Sequence, residues 1–250
     1  MDNLFNIVSK SNKIVFLGGA GTSTESGIPD FRGIHGMGHS LFHGKYTFEE
    51  ILSHDFFERY PEVFYKYYRK FLIHSEAKPN ACHCALAKLE QKKKLIGVIT
   101  QNIDGLHRQA GSSVVIELHG NIYNNYCVKC HKYYSLEEIQ EQSGVPTCVC
   151  GGIIKPDVVL YDELLDRENL MHAESLMQQA DTLIVGGTSL TVHPAADLLE
   201  YFQGRHLLVI NQTSTVADSW AELVIREPIG AVFQKLWEHD GFESLASNMA

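Results

Sequence analysis

Four short apolar runs bounded by turn residues mark the chain: KIVFLGG (13–19), LIGVITQN (95–102), TLIVGGTS (182–189) and HLLVIN (206–211). Each is continuous rather than alternating, as in strands covered on both faces of a parallel sheet. ELVI (222–225) predicts one more strand, and residues 229–237 read as a closing helix. In NACHCALAKLEQKKK (80–94) the period changes: Cys82, Ala85, Leu86 and Leu89 recur at i, i+3, i+4 and i+7 behind Pro79 and Asn80, which predicts an amphipathic helix. Strand alternating with helix predicts an α/β fold with a doubly wound, Rossmann-like parallel sheet, whose ligands gather at the C-terminal ends of the strands.

Two segments break the alternation. Residues 33–78 are rich in histidine and aromatics and read mainly as helix, while 121–157 hold four of the six cysteines. Both are expected to be insertions that build a smaller lobe, beside a main domain made of 1–32, 79–120 and 158–250. A length of 250 residues suits one domain carrying such insertions.

The cysteines add a candidate metal centre. Cys127-x2-Cys130 and Cys148-x-Cys150 read as a four-cysteine zinc site, structural because four thiolates leave no position open for water. Gly151 and Gly152 relieve the tight turn that a one-residue gap demands. Cys82 falls on the apolar stripe of its helix and Cys84 has no neighbouring pair, so neither is expected to bind metal. The formal charge of −9 argues against nucleic acid or anionic membrane as partner. No apolar run approaches the roughly 20 residues that cross a bilayer, and the first residues lack a signal pattern, so the expected location is cytoplasmic.

Gly18-Gly19-Ala20-Gly21 follows a strand and precedes a predicted helix, a setting that suits a pyrophosphate. A hydride-transfer dinucleotide domain places an acid roughly 20 residues further on to bind the ribose. Here no Asp or Glu occurs between Asp30 and Glu49, which disfavours an ordinary dehydrogenase. Pro29, Asp30, Phe31 and Arg32 come instead: a stiff turn, a flat apolar face and a charge pair suited to covering a ligand.

GAGTSTESGIPDFR (19–32), TQNIDGLHRQAG (100–111), ELHG (117–120), the cysteine pairs, GGIIKPDVVLYDE (151–163), GGTSL (186–190) and VIN (209–211) together resemble the sirtuins, NAD-dependent protein deacylases, in their bacterial form. The resemblance runs from about residue 13 to 230, with the motifs in family order. It implies that the PDFR stretch folds over the nicotinamide end of NAD and shields a reactive intermediate from water. Ala20, Gly21 and Thr24 would meet the phosphates and nearby ribose, and Asp30, Phe31 and Arg32 the nicotinamide side. Gln101, Asn102, Ile103 and Asp104 would floor the nicotinamide pocket, while Gly187, Thr188, Ser189 and Asn211 would take the adenosine half. Catalysis would fall to His119 and Asn102.

The implied chemistry begins with attack of the acyl oxygen of a modified lysine on C1′ of the nicotinamide ribose as nicotinamide leaves. His119, the general base, then helps a ribose hydroxyl attack the resulting imidate, and water releases lysine and O-acyl-ADP-ribose. An imidazole suits this, with an ordinary pKa of about 6.5. KPDVVLYDE resembles the segment that pairs with an extended acetyl-lysine peptide, with Val158, Val159 and Tyr161 as contacts. The family's Phe-Gly-Glu becomes Tyr161-Asp162-Glu163, and its frequent Arg before Pro becomes Lys155. Sirtuins that take acidic acyl groups carry Tyr-x-x-Arg in the helical insertion; three residues before Arg69 stands Lys66, and Tyr67-x-x-Lys70 is the nearest substitute, so acetyl is expected over succinyl. ADP-ribosyl transfer to protein and NAD hydrolysis are alternatives at the same site. The oligomeric state stays open, a monomer included.

Overall fold

The computed structural model describes residues 1–30, 41–42 and 44–245. Its strands are β1 (Ile14–Gly18), β2 (Leu95–Thr100), β3 (Val115–Glu117), β4 (Gly120–Cys127), β5 (Tyr133–Ser135), β6 (Ile154–Val158), β7 (Thr182–Gly186), β8 (His206–Ile210) and β9 (Leu223–Ile225). A six-stranded sheet runs in the order β3-β2-β1-β7-β8-β9, and every neighbouring pair is parallel. The chain begins at the centre, builds to one edge, returns and builds to the other. Such a reversal beside β1 opens a crevice at the strands' C-terminal ends.

The continuous apolar runs are explained by which way each residue faces. In β1, Ile14 and Phe16 enter one core with the helices Asp2–Lys10, Ala81–Gln91 and Ile229–Trp237, whereas Val15 and Leu17 enter the other with the helix Arg167–Gln179. Both faces are covered, so no position along the strand is left polar. The stripe Cys82, Ala85, Leu86 and Leu89 is wholly buried, and Asn80 caps its helix by accepting from the Cys82 N–H at 2.9 Å. On the same side the rings of His83 and His107 lie 4.6 Å apart, both buried. Burial lowers both pKa values, that of His83 to about 4, which keeps the pair neutral near pH 7.

Among the described residues the expected helix after the glycine turn is absent. Ala20–Thr22 and Thr24–Ser26 are single 3₁₀ turns. Gly27, at φ 85°, stops the second turn in the left-handed region, and Pro29, without an N–H, cannot continue a helix running on from it.

A three-stranded antiparallel sheet, β5-β4-β6, holds the smaller lobe. The helices Phe48–Ile51, His54–Arg59 and Pro61–Phe71 pack on it through Phe57, Phe64, Tyr65, Tyr68, Ile122 and Ile154. Two side chains of the third helix tie the insertions together. Tyr65 donates its hydroxyl to the Ile154 carbonyl, and the Arg69 guanidinium donates to the carbonyls of Gly144, Gln142 and Ile139. Among the described residues no helix is long and apolar enough to cross a membrane.

The four cysteines meet at one end of this sheet. Cys127 Sγ lies 3.5 Å from Cys150 Sγ and Cys130 Sγ 3.6 Å from Cys148 Sγ, and all four sulfurs fall within 4.8 Å of one another. A zinc tetrahedron with Zn–S of about 2.3 Å has edges of about 3.8 Å, so the set fits the ion. The shortened second knuckle is accommodated by Gly151 at φ 79° and by Gly152, where a Cβ would stand 2.6 Å from Cys127 Sγ. We expect about one zinc per chain by elemental analysis. Cys150→Ser should lose most of it and lower the melting temperature, while Cys84→Ser keeps the metal; a metal-free wild type with four freely titratable thiols contradicts the assignment.

Candidate active site

The strand ends stand in register. Glu117 pairs with Thr100, Thr100 with Gly18, Gly18 with Gly186 and Gly186 with Ile210. The residues that follow each of these positions leave the sheet at the same edge. Five loops distant in sequence therefore deliver the turn after Gly18, residues 101–104, His119, residues 187–190 and Asn211 to one crevice.

The two glycine turns touch backbone to backbone. Gly21 donates to the Gly187 carbonyl at 2.8 Å and Gly19 to that of Gly186 at 3.3 Å. A Cβ on Gly187, itself at φ 59°, would lie 2.4 Å from the Thr22 nitrogen. Glycine is required there because one backbone fills the space a side chain would need. Thr22 and Ser23 also donate back into the turn, to the Gly19 and Ala20 carbonyls. The turn's N–H groups thus mostly hold its own shape, unlike those of a phosphate loop that point outward.

Asn102 and Asp104 form the polar floor. The Asn102 amide nitrogen donates to Thr22 Oγ1 at 2.9 Å and Ser23 Oγ at 3.0 Å, with Asp104 Oδ2 at 3.3 Å. The Ser23 hydroxyl donates to Asp104 Oδ2 at 2.6 Å, and Asp104 Oδ1 accepts from the Leu106 N–H at 2.9 Å. With its NH2 engaged, Asn102 keeps a carbonyl oxygen for a ligand. Ser23 and Thr22 escaped the reading of the sequence, although hydroxyls beside a glycine turn were the available signal. Ile103 donates no such group; its side chain packs on the small-lobe core and its carbonyl accepts from Ile122.

His119 is half-buried, and its Nδ1 lies 2.9 Å from the Gln101 carbonyl oxygen. A carbonyl only accepts, so Nδ1 carries the proton and Nε2 presents a lone pair. Burial lowers the pKa below the ordinary histidine value, against the opposing pull of the Gln101 hydrogen bond. The ring is thereby neutral near pH 7 and able to take a proton. Gln101 continues the chain of contacts, donating from Nε2 to Thr188 Oγ1 at 3.1 Å. Gly120, at φ 71°, follows His119 because a Cβ there would sit 1.9 Å from the Asp157 oxygen.

That close approach brings residues 155–163, expected to bind peptide, against the histidine. Val159 donates its N–H to the His119 carbonyl at 3.0 Å; Val158 is buried and Val159 half-buried. Tyr161 is joined to the helical insertion, donating to the Leu52 carbonyl and accepting from the His54 N–H. Buried Lys155 braces the segment from within, with Nζ 2.9 Å from the Val158 carbonyl and 3.0 Å from Glu163 Oε2. Burial raises the Glu163 pKa, but the Leu160 N–H, His54 and Lys155 outweigh it and hold the carboxyl below its usual range. Asp162 adopts φ 72°, a left-handed conformation that accounts for the glycine of the resembling motif.

On the far side Thr188 is buried, and Ser189 Oγ stands 2.8 Å from Thr191 Oγ1. Asn211 donates to the Thr213 carbonyl at 2.9 Å and accepts at its own carbonyl from Arg226. Ala20, Gly21 and Thr24 lie on the first turns, with Thr24 donating to the Gly21 carbonyl. Asp30 is half-buried at the end of the described stretch, whereas Phe31 and Arg32 lie outside the described residues. On the insertion helix Tyr67 is buried and Arg69 is engaged with three carbonyls, while Lys70 lies over the Phe71 ring at 4.9 Å.

Known proteins resemble this chain in sequence and fold. The Sir2 family model matches residues 19–194. A Clostridium perfringens protein named NAD-dependent protein deacetylase is 53% identical over 238 residues, which cover 94% of this chain and 98% of the relative. A Staphylococcus aureus protein of the same name is 42% identical, covering 94% and 97%. A solved Sir2 complex with a p53 peptide and NAD+ superposes with a TM-score of 0.87 at 38% identity, covering 96% of this chain and 98% of that one. A Sir2 complex with deacetylated p53 peptide and 3′-O-acetyl ADP-ribose gives 0.89, also at 38% identity and with 96% and 98% covered. Relatives and solved structures span the strand ends, the histidine and the cysteine centre alike, and the chain belongs to the Sir2 family.

Proposed function

We propose that this protein removes acetyl groups from lysine side chains of proteins, consuming NAD as co-substrate and releasing nicotinamide and O-acetyl-ADP-ribose. The observation that carries the reading is His119, neutral and with Nε2 as its basic atom, at the same sheet edge as the Asn102–Asp104–Ser23 floor. The named relatives and the ligands in the solved complexes support it.

In this reading Asn102 and Asp104 orient the nicotinamide amide and ribose, and Gln101 and Thr188 join the two halves of the dinucleotide site. Ala20, Gly21 and Thr24 lie along the phosphates, Asp30, Phe31 and Arg32 over the nicotinamide, and Gly187, Ser189 and Asn211 beside the adenosine. The acetyl oxygen attacks C1′ as nicotinamide leaves. His119 Nε2 then accepts the proton of a ribose hydroxyl as that oxygen closes on the former carbonyl carbon, and water completes release of the lysine. Val158, Val159 and Tyr161 line the peptide groove, which the Val159–His119 hydrogen bond keeps in step with the base. Zinc in the Cys127, Cys130, Cys148, Cys150 set would hold the small lobe in shape and take no part in the chemistry. The division into 1–32, 79–120 and 158–250 against 33–78 and 121–157 belongs to the same proposal, supported by the separate small-lobe core. So does a cytoplasmic location, where thiols stay reduced for metal.

The acyl preference follows from Arg69. Its guanidinium is committed to the carbonyls of Gly144, Gln142 and Ile139, and Lys66 rather than a tyrosine stands three residues before it, so no Tyr-x-x-Arg pair is offered to a succinyl carboxylate. Acetyl-lysine peptide should therefore turn over faster than succinyl-lysine peptide; the reverse order contradicts this reading.

Mass spectrometry of the products from NAD and an acetyl-lysine peptide tests the function directly. O-acetyl-ADP-ribose is expected, formed only with acetylated peptide, and His119→Ala should lower its rate on the order of 10²- to 10⁴-fold while the fold persists. Free ADP-ribose or ADP-ribosylated protein without O-acetyl-ADP-ribose would sink the deacetylase reading.

A further inference from the structure

The helix Ile229–Trp237 begins at Pro228, whose side chain caps nothing. Its first turn is capped from elsewhere: the Glu25 carboxylate accepts from the Gly230 N–H across 205 residues of sequence. A carboxylate at that end is favoured by the helix dipole as well as by the hydrogen bond. The fit is close enough to dictate the partner, since a Cβ on Gly230 would stand 2.6 Å from Glu25 Oε2. Glu25 lies in the Thr24–Ser26 turn, between the glycine turn and Gly27. From the opposite flank Asn80 donates to the Thr22 carbonyl at 2.8 Å and to Ser26 Oγ at 3.0 Å.

We propose that Glu25 is a positioning residue for the dinucleotide, fastening the phosphate-side turn to the start of the closing helix. The inference rests on the NAD reading above. Elsewhere the turn is held by Gly186 and Gly187, by Asn80 and by Asn102 and Asp104. None of these residues belongs to the last helix. The Glu25 carboxylate joins the turn to that helix with a charged group, so its removal frees residues 24–26 to shift relative to the rest of the crevice. Binding of NAD should suffer, and the chemical step at His119, which hangs from β3 and Gln101, should not.

The test measures NAD affinity by calorimetry, without turnover, beside steady-state kinetics. Glu25→Ala should weaken NAD binding about three- to tenfold and raise KM for NAD equally, with kcat at saturating NAD and KM for peptide within about twofold of wild type. Glu25→Gln keeps an acceptor oxygen for Gly230 and should recover most of the affinity. Gly230→Ala displaces the carboxylate and should weaken NAD to a similar degree, yet add nothing in the Glu25→Ala background. If Glu25→Ala melts at a lower temperature but binds NAD as wild type does, or more tightly, the contact is a helix cap only and the proposal is wrong. Should Glu25→Ala fail to fold, Glu25→Gln and Gly230→Ala decide on the same readouts. A wild type that binds NAD without forming product overturns the deacetylase reading alone; a wild type that does not bind NAD overturns both.

Discussion

One hydrogen bond organises the chemistry proposed for this protein: the one from His119 Nδ1 to the Gln101 carbonyl. It links the end of β3 to the end of β2, and it decides which imidazole nitrogen is basic. Without it the ring would be free to rotate and to exchange tautomers, and no defined lone pair would meet the ligand. Burial works in the same direction by lowering the pKa, which keeps the ring unprotonated and available as a base near neutral pH. The backbone on either side of the ring is equally constrained. The His119 carbonyl receives the Val159 N–H, and Gly120 admits the Asp157 carbonyl where any side chain would collide. The proposed base and the proposed peptide groove are consequently parts of one backbone arrangement.

The parallel sheet makes that arrangement possible. Because the strands end in register, side chains from loops far apart in sequence converge at a single edge, and the crevice needs no long-range adjustment to form. The glycine turns then pack against each other so tightly that the N–H groups of Gly19 and Gly21 are taken up by the carbonyls of Gly186 and Gly187. The consequence is a floor whose side-chain hydroxyls and amide nitrogen hold one another, with the Asn102 carbonyl oxygen left for a ligand. In the proposed NAD site, neutral groups such as Asn102, Thr188 and Asn211 take the part that a ribose-binding acid plays in a hydride-transfer domain. Such a floor suits a sugar that must be attacked by an acyl oxygen without competition from solvent.

How much of this the sequence reveals depends on the distance over which each feature is encoded. The central strands are legible because residues facing both cores are apolar, and the helix at 81–91 because its stripe repeats every turn. The cysteine centre is legible through spacing, and its shortened knuckle through the glycines behind it. β4 resists such reading: in GNIYNNYC only Ile122, Asn125 and Cys127 are buried, a mixture that is neither continuous nor cleanly alternating. β3 has three residues, too few to establish a period. The helix expected after the glycine turn fails because Gly27 and Pro29 sit two residues apart just beyond it. Ser23 with Asp104 and Glu25 with Gly230 pair across 81 and 205 residues, and no local pattern announces either contact.

The central claim, a neutral His119 with its proton held on Nδ1, is open to direct observation by ¹H–¹⁵N NMR of the imidazole nitrogens through a pH titration. The hydrogen bond to Gln101 and the burial of the ring predict the Nδ1–H tautomer, with Nε2 as the unprotonated nitrogen near pH 7, and a midpoint below the ordinary histidine value. A proton resident on Nε2, or a midpoint above that value, would contradict it.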